Sequence, residues 1–80
     1  MTRVHVQYFA ILREQRGLTA ESLVTNVPTV SGLYEELRAR HAFTLPGNRV
    51  RAAVNDAFVP ASEVLREGAR VVFIPPVAGG

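Results

Sequence analysis

The last two residues of this 80-residue chain, Gly79-Gly80, are the ones whose type and place could do chemistry. Neither carries a side chain, so nothing crowds the final carbonyl and the segment fits a channel too narrow for other residues. A terminal carboxylate presented in that way can be threaded into a partner and activated. Small residues are also common at frayed ends, and at ordinary glycine usage a Gly-Gly end arises by chance in about one chain in 200. What precedes the pair therefore decides its meaning. Here it follows Val71-Val72-Phe73-Ile74, an apolar strand, then the stiff step Pro75-Pro76 and the small residues Val77-Ala78.

Few other groups compete for a chemical role. The chain has no cysteine, which excludes disulfides, thiolate-bound metals and a thiol nucleophile. All nine basic residues are arginine, so no lysine is available as a Schiff-base former or isopeptide acceptor. The arginines are scattered, the formal charge is only +2, and no aromatic–basic stripe accompanies them. Nucleic-acid binding is therefore not expected. His5 and His41 have no cluster of further ligands around them and are read as structural or solvated. Nothing resembles a catalytic triad, a metal cluster or a phosphate-binding loop, and no bound cofactor is expected. The Gly80 carboxylate is left as the chemical handle.

The rest of the chain must position that handle. A hydrophobic fraction of 48% and a charged fraction of 20% are globular values, and the length suits one domain, residues 1–80, with 75–80 as an extended tail. No apolar run approaches the roughly 18 residues that span a bilayer. The N-terminus lacks a signal-peptide layout, so no membrane and a cytoplasmic location are expected.

Val4, Val6 and Tyr8 alternate along Arg3–Phe9, a half-buried strand. Ala10–Arg16 predicts a single helical turn that Gly17 can end with a positive φ. Within it, Arg13-Glu14 is a candidate local ion pair. Glu21–Val27 reads as a second strand, closing a hairpin with a bulky connection. Pro28 stops it and Thr29 is a candidate helix cap. Val30, Leu33, Tyr34, Leu37 and His41 then lie on one stripe of a helix of about three turns, with Glu36 and Arg40 paired on another side. Gly32 is expected to allow close helix–sheet packing. Thr44–Asn48 reads as a loop.

Val50–Val54 and Ala57–Val59 predict a short hairpin, with Asn55-Asp56 tolerating positive φ at its turn. Val64-Leu65 is expected to fill the core beneath a turn at Glu67-Gly68. Arg70–Ile74, apolar on both faces, is placed centrally in the sheet, parallel to the first strand. The result is an α+β architecture: a β-grasp (ubiquitin-like) roll with a mixed sheet of four or five strands and one main helix on one face.

In these residues the chain resembles the small subunits of molybdopterin synthase, a family of ubiquitin-like sulfur carriers. Phe9-Ala10 followed by Arg13-Glu14 and Gly17, then Pro28-Thr29-Val30 with Leu33, then Ala52-Ala53-Val54-Asn55 match its pattern. The most specific match is the close, Val72-Phe73-Ile74-Pro75-Pro76-Val77-Ala78-Gly79-Gly80. One departure is that many members carry an acidic pair after the glycine that opens the last strand, whereas Gly68 here is followed by Ala69-Arg70.

The resemblance implies a mechanism. An adenylyltransferase similar to ubiquitin-activating enzymes would use ATP and magnesium to adenylate Gly80. Sulfur would displace AMP to leave a terminal thiocarboxylate, and that group would donate sulfur to a cyclic pyranopterin phosphate, building the molybdopterin dithiolene. The carrier would not be catalytic alone. It would assemble with the large catalytic subunit, in a heterotetramer. The same tail also suits carriers for cysteine, thiamine thiazole or tRNA thiolation, a ubiquitin-like protein modifier, or an interaction module in which Gly-Gly is incidental.

Residues 75–80 can extend about 20 Å at roughly 3.3–3.6 Å each, and the two prolines stiffen the base of that arm, lowering the entropy lost on insertion. The docking surface is expected on the sheet face away from the helix. It would carry His5, Gln7 and Phe9 from the first strand and Val72 and Ile74 from the last, joined by Phe58. Residues 60–68 could instead cover part of this face. Phe9, Phe58, Ile74, Pro75, Pro76, Val77 and Ala78 are the candidate partner-binding residues.

Overall fold

The computed structural model describes residues 1–76. Five strands, β1 (Thr2–Tyr8), β2 (Ala20–Thr25), β3 (Arg51–Val54), β4 (Ala57–Val59) and β5 (Ala69–Ile74), alternate with two helices, α1 (Ala10–Arg16) and α2 (Val30–His41). The strand order is β2-β1-β5-β3-β4. The last strand is central, parallel to β1 on one side and antiparallel to β3 on the other. With α2 on one face of this mixed sheet, the fold is the β-grasp roll that the sequence predicts.

The alternation of side chains explains why the sheet buries one face. Val4, Val6 and Tyr8 of β1 and Ala69, Val71 and Phe73 of β5 point into the core, where they meet Val30, Leu33, Tyr34 and Leu37 of α2. Thr29 caps α2, its Oγ1 accepting from the Gly32 N–H at 3.1 Å. Glu36 and Arg40 pair at 3.0 Å as their spacing predicts. Gly32 differs from expectation. A Cβ there would meet Val27 Cβ at 3.2 Å and Thr29 Oγ1 at 3.3 Å, so the glycine makes room for the β2–α2 connection and not for the sheet.

The helix ends with Ala42 in the left-handed region (φ 57°), and both Ala42 and Phe43 donate their N–H to the Arg38 carbonyl. That turn drives Phe43 back into the core. Its ring lies 5.9 Å from Tyr8 and from Tyr34, and Tyr34 lies 5.3 Å from Phe73. The predicted loop over residues 44–48 also holds the start of a 3-10 turn, Gly47–Arg49.

Ala10–Arg16 is a seven-residue helix and not a single turn. Buried Leu12 anchors it to the core, and Gly17 ends it at φ 82°. Arg13 and Glu14 make no ion pair among the described residues. The pair that ties this segment down is Arg16 with Glu21 of β2, two guanidinium bonds of 2.8 Å each, with the Tyr8 hydroxyl donating to the same carboxylate at 2.6 Å.

These bonds, the Arg16 guanidinium first, hold the Glu21 carboxyl down to about 2 from its ordinary 4.5. A depressed carboxyl pKa contributes stability above the unfolded value, and this is lost as pH falls through the folded one. The contribution is therefore present at neutral pH and disappears between about pH 4.5 and about pH 2. Glu21→Gln is expected to lower stability at pH 7 by about 2 kcal/mol and to flatten the acid limb. Urea unfolding at pH 7 and pH 3 checks this, and an equal loss at both values would contradict it.

Residues 60–68 do not cover the open sheet face. They cross the N-terminal end of α2, where the Val30 and Ser31 N–H groups donate to Glu63 and Ala61 carbonyls at 2.9 and 3.0 Å. This satisfies two donors that a helix start leaves unpaired. Leu65 is buried there, but Val64 is 54% exposed, so only one of the two expected core residues is in the core.

Candidate functional site

The face of the sheet away from α2 collects the alternate residues. In register across it, Gln7 of β1 stands beside Val72 of β5, Val72 beside Ala53 of β3, and Ala53 beside Phe58 of β4. The next row toward the end of β5 sets Ile74 beside Arg51. Phe58 is 62% exposed, and the Arg51 guanidinium lies over its ring, 4.5 Å from the centroid. Phe9 follows β1 as the residue before α1, extended and 41% exposed. Phe9 and Phe58 thus flank the central strand from either side, roughly three strand spacings of 4.8 Å apart.

Val72 and Ile74 are half-buried, so the predicted patch exists, with Phe58 as its most prominent member. Arg51 and Ala53 were not among the predicted residues. Each is one residue from core-facing Ala52, so strand alternation puts both on the opposite face, a signal present in Val50–Val54 but weakened by the neighbouring alanines.

The patch runs to the base of the tail. Ile74 ends β5, Pro75 is buried and Pro76 is exposed. The arm therefore leaves from the middle of the sheet, the place where five strands fix its origin most firmly. The predicted residues Val77, Ala78, Gly79 and Gly80 lie outside the described residues.

Among the described residues no three His, Asp or Glu side chains gather as metal ligands. No helix among them is long and apolar enough to cross a membrane. A cleft of about 640 Å³ opens between α2 and β3, on the helix side. Along its wall the Tyr34 hydroxyl donates to the Leu45 carbonyl at 2.7 Å, and Arg38 reaches Glu35 at 3.5 Å. His5 bonds Ser22 at 2.7 Å and His41 packs against Phe43.

Known proteins share this layout. The molybdopterin synthase sulfur carrier subunit of Mycobacterium tuberculosis is 39% identical over 83 residues, covering 100% of both chains. The Escherichia coli protein of the same name is 36% identical over 80 residues, covering 96% of this chain and 99% of that one. Among solved structures, the Pyrococcus furiosus chain described as molybdopterin converting factor subunit 1 superposes with a TM-score of 0.80 at 31% identity, covering 96% and 100%. A family model, that of the ThiS family, matches residues 6–80, from within the first strand to the final glycine. By topology, by an uncovered sheet face leading to a diglycine tail, and by these matches, the chain belongs to the ThiS family.

Proposed function

We propose that this protein is the sulfur carrier subunit of a molybdopterin synthase. The observation that carries the reading is the uncovered apolar face continuous with a tail leaving the central strand. A monomer has no reason to leave Phe58, Val72 and Ile74 open in one patch, and a carrier needs a docking surface beside the arm it inserts. The relatives at 36% and 39% identity bear that subunit's name.

In this reading the Gly80 carboxylate attacks the α-phosphorus of ATP on an adenylyltransferase, releasing pyrophosphate. Magnesium and ATP belong to that enzyme. Sulfide sulfur then attacks the acyl carbon, AMP leaves, and a thiocarboxylate remains. The thiocarboxylate sulfur then bonds to a carbon of the cyclic pyranopterin phosphate as an oxygen leaving group departs from that carbon. Water cleaves the acyl–sulfur bond of the resulting thioester, which leaves the sulfur on the pterin and regenerates the Gly80 carboxylate. The carrier contributes presentation: Gly79 and Gly80 leave the carbonyl uncrowded, and Pro75-Pro76 limit the entropy lost on insertion. The partner that supplies the catalytic groups is the large subunit of the synthase.

Affinity capture with the tagged chain tests the assignment. Recovery of the large subunit is expected, and recovery of a cysteine synthase homologue in its place would overturn it. Phe58→Ala and Phe9→Ala are each expected to weaken binding to the large subunit by about 10- to 30-fold, as exposed aromatic anchors do. Each should leave unfolding within about 0.5 kcal/mol, since neither ring is in the core. Calorimetric titration and thermal melts separate the two quantities. Parallel losses in both would refute the docking role.

A further inference from the structure

The open face is basic as well as apolar. Arg3, His5, Arg70 and Arg51 all project from it, and its strands carry no carboxylate there. The nearest acidic groups come from turns. Asp56, 80% exposed, pairs with Arg70, and Glu67 accepts from the Arg3 backbone N–H. Arg51 has no carboxylate at ion-pair distance among the described residues, and is held only against Phe58. Beside this patch, a shallow depression of about 340 Å³ is lined by His5, Gln7, Ser22 and Arg70 and also by Glu21, whose carboxylate is taken up by Arg16 and Tyr8. Its lining offers guanidinium, amide, hydroxyl and imidazole groups, a donor-rich set suited to a carboxylate.

We infer that the partner docks an acidic surface here, with one carboxylate seated in the depression against Arg70 and another meeting Arg51 at the base of the tail. This rests on the carrier reading and specifies its partner: a large subunit whose rim around the tail channel is negatively charged. Arg70 has five N–H donors and spends few of them on Asp56. A partner carboxylate therefore competes with Asp56 and does not have to find a bare cation. Arg51 is exposed and stacks on the Phe58 ring, so the same contact unites the apolar anchor with the charge. Charges placed around an apolar centre govern encounter rate and choice of partner more than total affinity. The face would consequently reject a carrier-binding surface that is itself basic.

The test uses the full chain and the purified large subunit, titrated at roughly 50 mM and 500 mM salt. Arg51→Glu and Arg70→Glu are each expected to weaken binding about tenfold at the lower salt and much less at the higher, mainly through slower association. Asp56→Asn should act in the opposite direction and tighten binding by about two- to threefold, because it releases Arg70. That pair of opposite shifts cannot come from misfolding. Reversals that leave binding within about twofold while the wild type binds would overturn the inference and leave the carrier reading standing. A wild type that does not bind the large subunit would overturn both. Arginine-dependent capture of a uridine oligonucleotide with no effect on subunit binding would show that the face serves nucleic acid, and would also overturn it.

Discussion

Deleting Gly80 is expected to abolish sulfur donation by the assembled synthase and to leave the melting curve of the chain unchanged. The chain has no cysteine and no lysine, so nothing else can carry an acyl-linked or persulfide sulfur. Among the described residues the side chains of the core run from Val4 to Phe73. Loss of the terminal residue shortens the arm by about 3.5 Å and moves the carboxylate out of reach of groups placed to act on it. Misplacement on the order of 1 Å can already cost about 100-fold in rate. Dithiolene formation is the activity to measure, with circular dichroism melts alongside. Undiminished activity would show that Gly80 is not the carrier atom's home.

Phe73→Ala is expected to have the largest effect on stability. Phe73 is 1% exposed, on the central strand, with Tyr34 at 5.3 Å on one side and Tyr8 beside it in the parallel register. Truncating a buried phenylalanine costs about 3–5 kcal/mol through lost burial and the cavity left behind. For a domain of this size that is a fall in melting temperature of roughly 15–30 °C. The neighbouring Val72 faces the other way, so Val72→Ala should cost much less stability and should instead weaken docking. Thermal melts of the two variants check the contrast. Similar shifts would mean that the two faces of β5 are not distinct.

The contrast between Phe73 and Val72 also shows what the sequence makes legible. A period of two along Val4–Tyr8 and an apolar run at the end are local patterns, and together they lead to a central last strand. Thr29 before Val30 marks the helix start because a cap is a short-range bond. The open face and its Phe58 follow from the same counting. What is not legible depends on distant partners. Arg16 finds Glu21 and Tyr8 only once the β1–β2 connection has folded, so Arg13-Glu14 looks the better pair in sequence. Phe43 joins the core because Ala42 adopts a left-handed conformation, an unusual choice for alanine. Residues 60–68 carry proline, alanine and charge in no regular period, and the layer they join is set by distant partners: the N–H groups at the start of α2, the Pro28 carbonyl and the core around Leu65. That last point matters most for the proposed function, since it leaves the sheet face away from α2 bare.

The measurement that bears most directly on the central claim is the intact mass of the chain after co-expression with an adenylyltransferase of the ubiquitin-activating type and a sulfur source. The account predicts a gain equal to one oxygen-to-sulfur exchange, located at Gly80 and absent when Gly80 is deleted. A chain whose mass stays unchanged with its cognate activating enzyme present, or whose gain survives the deletion, would contradict it.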